Sequence, residues 1–224
     1  MEEKPQWPET TLAFVRRIRE FGDIYTYVFR PVNPVSYIAG QYGHLRLAGM
    51  PEGVRSVREF SFVSAPHEAD IVFGVDSSSR SDYQQTLSAL KEGDTVTLFK
   101  IKNHMTWPPT TQNAVMIAGG VGITPFISML RDRAHRSLPV KATLLHVARA
   151  DYLYREEATR LADAYIPLTR SNFLEGLARA TAFKPDAHYY IAGSPSFVEG
   201  VGKLLVEHGI TTYESDPFKG LEDF

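Results

Sequence analysis

Val115-Met116-Ile117-Ala118-Gly119-Gly120-Val121-Gly122-Ile123-Thr124-Pro125-Phe126-Ile127-Ser128-Met129-Leu130 is the stretch that decides the fold. Residues 114–118 form a short apolar run of strand length, and residues 125–136 carry Ile127, Leu130 and Ala134 on one helical stripe. Between them Gly119, Gly120 and Gly122 permit backbone conformations and close approaches denied to other residues. Thr124 is placed to cap the helix and Pro125 to be its first residue. The N–H groups and positive dipole end of such a helix start favour an anion such as a pyrophosphate. A tight strand-to-helix turn that binds nothing would use the same residues. The strand–turn–helix setting favours a phosphate site formed by Gly119, Gly120, Gly122, Ile123, Thr124 and Pro125.

Downstream, strands and helices alternate: a strand at 141–147, a helix at 154–164, a strand at 188–192 and a helix at 196–207. Alternation of this kind implies right-handed crossovers and a parallel sheet. A second small-residue turn, Gly193-Ser194-Pro195-Ser196, follows the strand at 188–192, where loops line the ligand crevice of an open α/β sheet. It reads equally well as an ordinary loop with Ser194 or Ser196 as a helix cap. Upstream, residues 104–113 are Pro-rich and irregular, and the expected domains are 1–106 and 107–224. Before that boundary the period is two, with strands expected at 11–18, 24–30, 43–47, 59–63, 71–75 and 95–99 and a single helix at 83–90. Leu12, Phe14 and Ile18 share one face of the first strand, with Arg16 as the exception. The expected fold is therefore a six-stranded antiparallel β-barrel followed by a doubly wound α/β parallel sheet.

Composition narrows the function. Net charge is −2, from 24 Lys+Arg against 26 Asp+Glu, so no basic field attracts nucleic acid. Absence of cysteine excludes disulfides, thiolate nucleophiles and cysteine-held metal or iron–sulfur sites, and the seven histidines show no metal-ligand spacing. No apolar signal opens the chain, and the longest apolar stretch is too short to span a bilayer, so a soluble cytoplasmic protein without membrane insertion is expected.

Arg58-Glu59-Phe60-Ser61 offers one ligand a cation, a flat face and a hydroxyl, though a strand with a solvated Arg has the same residues. Together with Gly119–Pro125, Tyr190-Ile191-Ala192-Gly193-Ser194-Pro195, Ala39-Gly40-Gln41-Tyr42, Leu87-x-x-Leu90-x-x-Gly93-Asp94 and Asp216-Pro217-Phe218-Lys219-Gly220, this order of motifs resembles the ferredoxin–NADP(+) reductase superfamily of flavin-dependent reductases. The resemblance runs over residues 11–224. It implies a flavin on the barrel, a nicotinamide nucleotide (NADPH or NADH) on the α/β domain, and hydride transfer across their interface. Arg58 would neutralise the flavin phosphate, Phe60 would lie along the ring, and Ser61 would hydrogen-bond near N5. Ser61, Thr124 and Phe218 would surround the reacting atoms, with Gly193, Ser194 and Pro195 near the nicotinamide.

Ser79, Arg80 and Ser81 occupy the place where FAD-retaining relatives hold the pyrophosphate, although the segment also reads as a polar loop. Bound FAD is favoured over a diffusible flavin. Arg149 is a candidate phosphate contact or a solvated cation, and Thr169 with Arg170 matches the position that grips a ribose 2′-phosphate, which favours NADPH. Phe218 is expected to be an ordered wall of the site, and Phe224 a lesser candidate. The sequence departs from the family pattern in having Phe60 for tyrosine, Ala192 for cysteine and no cysteines for a fused cluster module. The expected activity is hydride transfer from NAD(P)H to FAD and electron delivery to a separate acceptor, a small redox protein or a small molecule. A reductase of free flavin, or an electron-transfer subunit active only in a complex, are the alternatives.

Overall fold

A computed structural model describes residues 7–103, 105–107, 112–149 and 151–218. The chain divides into two units between Asn103 and His104. Residues 105 and 106, drawn into the first domain from the sequence, are held with Trp107 by the second unit. Met105 is fully buried. The Thr106 N–H donates to Glu214 at 2.9 Å, the Tyr190 hydroxyl donates to the Thr106 carbonyl at 2.7 Å, and Trp107 Nε1 donates to the Met129 carbonyl at 3.2 Å.

The first unit contains β1 (Glu9–Phe21), β2 (Ile24–Pro31), β3 (Gln41–Arg46), β4 (Val57–Ser61), β5 (Ile71–Asp76), α1 (Asp82–Ser88) and β6 (Thr95–Asn103). Its six strands pair antiparallel in the order β4-β3-β6-β1-β2-β5. A bridge between Phe62 and Phe73, with the Val63 N–H donating to the Val72 carbonyl at 2.8 Å, brings the ends of β4 and β5 together and curls the sheet towards a barrel. Aromatic and branched side chains fill the interior, among them Tyr27, Phe29, Phe62, Ile71, Phe73 and Leu98. Tyr83 of α1 joins this core, and its hydroxyl donates to the Leu45 carbonyl at 3.0 Å. The exception at Arg16 has a physical cause. A register shift between Phe14 and Arg16 resets the alternation of β1, so Ile18, expected on the core face, is 41% exposed.

The second unit runs β7 (Asn113–Gly119), a 3₁₀ turn (Gly120–Ile123), α2 (Thr124–Arg136), β8 (Lys141–Val147), α3 (Arg155–Leu161), β9 (Ala164–Leu168), α4 (Phe173–Thr181), β10 (His188–Gly193), α5 (Pro195–Glu207) and β11 (Tyr213–Pro217). All pairs are parallel, in the order β11-β10-β7-β8-β9. The sequence order therefore reverses between β7 and β10, and ligands of open α/β sheets bind at the strand carboxyl ends there. Four elements differ from the expectations. The helix expected over 154–164 stops at Leu161, and β9 takes the residues after it. Its Pro167 is tolerated because β9 is an edge. Neither α4 nor β11 was expected. The first buries Leu177 and packs Gly176 against Leu168, and the second is a polar strand held by its ladder to β10. Among the described residues no helix is long and apolar enough to cross a membrane.

Candidate functional site

At the carboxyl ends of β7 and β10 the glycines differ in role. A Cβ on Gly122 would collide with the Ala192 carbonyl and lie 2.8 Å from the Gly193 nitrogen. One on Gly119 would meet the Phe197 ring of α5 at 2.8 Å, and one on Gly193 would meet the same ring at 2.9 Å. These three glycines let two turns and α5 interlock, and Gly122 makes room for β10. Gly120 is the open one. It is exposed, its φ is +54°, and nothing lies within 4 Å of its missing side chain.

Thr124 does not cap the helix. It already has helical φ and ψ, because the 3₁₀ turn runs straight into α2, and its hydroxyl donates back to the Val121 carbonyl at 3.0 Å. Ile123, Thr124 and Pro125 are all buried. The first N–H groups without intrahelical acceptors therefore belong to the turn beginning at Gly120, ahead of Thr124. At the other turn Ser194 does cap its helix, accepting the Phe197 N–H at 3.3 Å, with Pro195 in the first turn. The chain returns to this place through β11, where the Phe218 N–H donates to the Gly193 carbonyl at 2.8 Å. Half-buried Phe218 is thus fixed beside Gly193, whereas Phe224 lies outside the described residues.

Sequence reasoning missed His146. It lies in β8, fully buried, with Nε2 at 2.8 Å from the Gly120 carbonyl and Nδ1 at 3.2 Å from the Tyr165 hydroxyl. Burial lowers its pKa to about 4, against the opposing effect of the Gly120 hydrogen bond, so the ring is neutral. Burial likewise pushes the Tyr165 hydroxyl up to about 12. A single histidine in an apolar strand carries no spacing signal, and only the sheet register brings it under the glycine turn.

Farther along the strand ends, Arg149 and Arg170 are exposed. The Thr169 hydroxyl donates to Asn172 Oδ1 at 3.1 Å, which engages the group expected to meet a ribose phosphate. Arg170 borders a groove of about 510 Å³ between α4 and α5, together with Phe173, Ser196, Phe197 and Lys203.

On the first unit, alternation along β4 sends Arg58 and Phe60 to one side. The Arg58 guanidinium lies 5.7 Å from the Tyr83 ring centroid, and Phe60 stands 6.1 Å from Tyr83 and 5.8 Å from Phe73. Among the described residues no carboxylate pairs with half-buried Arg58. Ser61 is 5% exposed and sits opposite Tyr42 in the ladder. Before α1, Ser81 caps the helix by accepting the Gln84 N–H at 3.4 Å, Ser79 donates to Gln84 Oε1, and exposed Arg80 reaches to 3.8 Å from Asp23. The same segment contains Ser77, whose Oγ is buried and has no hydrogen-bond partner among the described residues. An orphaned buried hydroxyl, a cation without a carboxylate and an aromatic face make a donor set suited to a phosphorylated, flat-ringed ligand. Ser77 stands two residues before Ser79 in the sequence, and only burial sets it apart from its neighbours.

Residues 116–175 match the oxidoreductase NAD-binding domain family. A flavohemoprotein of Bacillus subtilis (strain 168) is 26% identical over 239 residues, covering 93% of this chain and 58% of that protein. The chain thus spans little more than half the length of that relative. Among solved structures, the ferredoxin reductase in carbazole 1,9a-dioxygenase superposes with a TM-score of 0.79 at 17% identity, covering 96% of this chain and 71% of the other. The ferredoxin NADP+ reductase from Neisseria gonorrhoeae with bound FAD and NADP gives 0.77 at 16% identity, covering 96% and 99%. The superpositions show that the chain shares the two-unit fold of these two reductases, with the family match lying in its second unit.

Proposed function

We propose that the chain is an NAD(P)H-dependent flavin oxidoreductase that takes hydride from a nicotinamide coenzyme onto bound FAD and passes electrons to a separate acceptor. The observation that carries this reading is the Arg58 cation, without a carboxylate partner among the described residues, on the same strand as Phe60 and the same unit as the orphaned Ser77 hydroxyl. The flavin, when bound, supplies a ring that accepts hydride and releases electrons singly. Arg58 and Ser77 answer its phosphate charge, with Ser79, Arg80 and Ser81 alongside. Phe60 provides a flat apolar surface, and the Ser61 hydroxyl serves the ring edge at N5, where negative charge develops. On the second unit, Gly120 admits the coenzyme pyrophosphate, Gly119 lets the turn pack on α5, and Thr124 acts through the turn it braces. Gly193, Ser194, Pro195 and Phe218 form the wall for the nicotinamide. Arg170 and Arg149 are the cations for the far end of the coenzyme, and Arg170 favours NADPH.

The acceptor is a small redox protein or a small molecule, a reading supported by likeness to a ferredoxin reductase. A second reading, a reductase of free flavin, draws on Ser79 and Ser81 being occupied by Gln84. Purification separates the two. A chain that stays yellow through gel filtration and oxidises NADPH with a dye supports bound FAD, and a colourless chain that reduces added flavin supports the second reading. Arg170→Ala should lower kcat/KM for NADPH and spare NADH; an NADH preference untouched by the change refutes the role of Arg170.

A further inference from the structure

The carbonyl of Gly120 accepts a hydrogen bond from within the sheet. Its donor is His146 Nε2, 2.8 Å away on the adjoining strand β8. A carbonyl only accepts, so Nε2 carries the proton, and Nδ1 is left to accept from the Tyr165 hydroxyl at 3.2 Å. Tyr152 closes the box, edge-on to the imidazole at 5.4 Å, and its own hydroxyl donates to the Leu168 carbonyl at 3.0 Å. The ring is therefore fixed in tautomer and in orientation.

That matters because of where Gly120 sits. A glycine at φ +54° with open space around it puts little steric restraint on the peptide that follows. In a trans peptide the C=O and N–H point in opposite directions. Holding the Gly120 carbonyl against His146 therefore turns the Val121 N–H away from β8. Val121 lies in the first turn of the helix, where N–H groups lack intrahelical acceptors and serve as anion donors. We infer that His146 is a positioning residue for coenzyme binding: it locks the Gly120–Val121 peptide so that the Val121 N–H is presented to the coenzyme pyrophosphate. The inference rests on the reading that this turn binds a nicotinamide coenzyme.

The test is calorimetric titration of NAD+ and NADP+ into the flavin-loaded full chain, with steady-state kinetics alongside. His146→Leu removes the donor and should weaken Kd and raise KM about tenfold while kcat changes by about twofold or less. His146→Gln restores an N–H in the place of Nε2 and should return Kd to within about threefold of the native chain. Tyr165→Phe keeps the packing, frees the tautomer, and should fall between the two. Near-ultraviolet circular dichroism and flavin absorbance report folding. If His146→Leu does not fold, the decision passes to the other two variants: Gln must bind and Tyr165→Phe must weaken binding. Native-like Kd in folded His146→Leu, or a Gln variant no better than Leu, overturns the inference. A native chain that binds neither dinucleotide overturns the coenzyme reading first, and the inference with it.

Discussion

A guanidinium half withdrawn from water needs compensation, and Arg58 finds it in the Tyr83 ring face, with no carboxylate partner among the described residues. A ligand phosphate would supply the missing charge. Arg58→Ala should then weaken FAD by about 1.5–3 kcal/mol, roughly tenfold to hundredfold in Kd. Fluorescence titration of the stripped protein measures it, and unchanged affinity removes Arg58 from the site. His146 meets the same problem by giving up its charge. Its folded pKa of about 4 lies below the ordinary 6.5, so between these values the unfolded chain binds the extra proton. Stability from this group is complete above pH 6.5 and is lost as pH falls towards 4, by about 3 kcal/mol. Urea midpoints across that window should slope less for His146→Gln than for the native chain, and parallel slopes would contradict a buried neutral ring.

Between β7 and α2, the glycines that look alike in sequence part company in space. Gly122→Ala drives a methyl into the Ala192 carbonyl, so it should lower the melting temperature of the protein whether or not coenzyme is present. Gly120→Ala meets no atom and incurs only the left-handed backbone cost of about 1–2 kcal/mol. A Gly122→Ala protein that melts normally but loses coenzyme would return that residue to the ligand. What was legible at this scale followed from periodicity. The β7–turn–α2 passage, the alternating second half and the strands of the first half all declare themselves through apolar spacing. What was not legible depends on partners distant in sequence. β11 is polar and exists through its ladder to β10, and β9 contains a proline that only an edge accepts. The displaced cap at Thr124 arises because the 3₁₀ turn starts the helix early, a matter of backbone angles that Ser/Thr statistics do not carry. The same limit hid His146 and Ser77, whose significance is burial and an absent or distant partner.

For the molecule as a whole, each ligand should stabilise the unit that binds it. FAD at about a hundredfold excess over Kd adds about 2.7 kcal/mol to its unit, and coenzyme acts likewise on the other. Calorimetry of the flavin-loaded and stripped protein should show flavin removal lowering the first unit's transition, and a transition indifferent to flavin would contradict placement on the barrel. The way each sheet terminates has a further consequence, for behaviour in a crowded solution. In the first unit the outer strands meet at Phe62 and Phe73, which shortens the free margin available to a foreign strand. In the second, the margins β9 and β11 are only five residues each, one interrupted by Pro167 and the other charged at Glu214 and Asp216. Short, proline-bearing or charged margins discourage edge-to-edge recruitment. A chain rich in β-structure is thereby guarded against fibrous self-association by the same residues that made two of its strands hard to foresee.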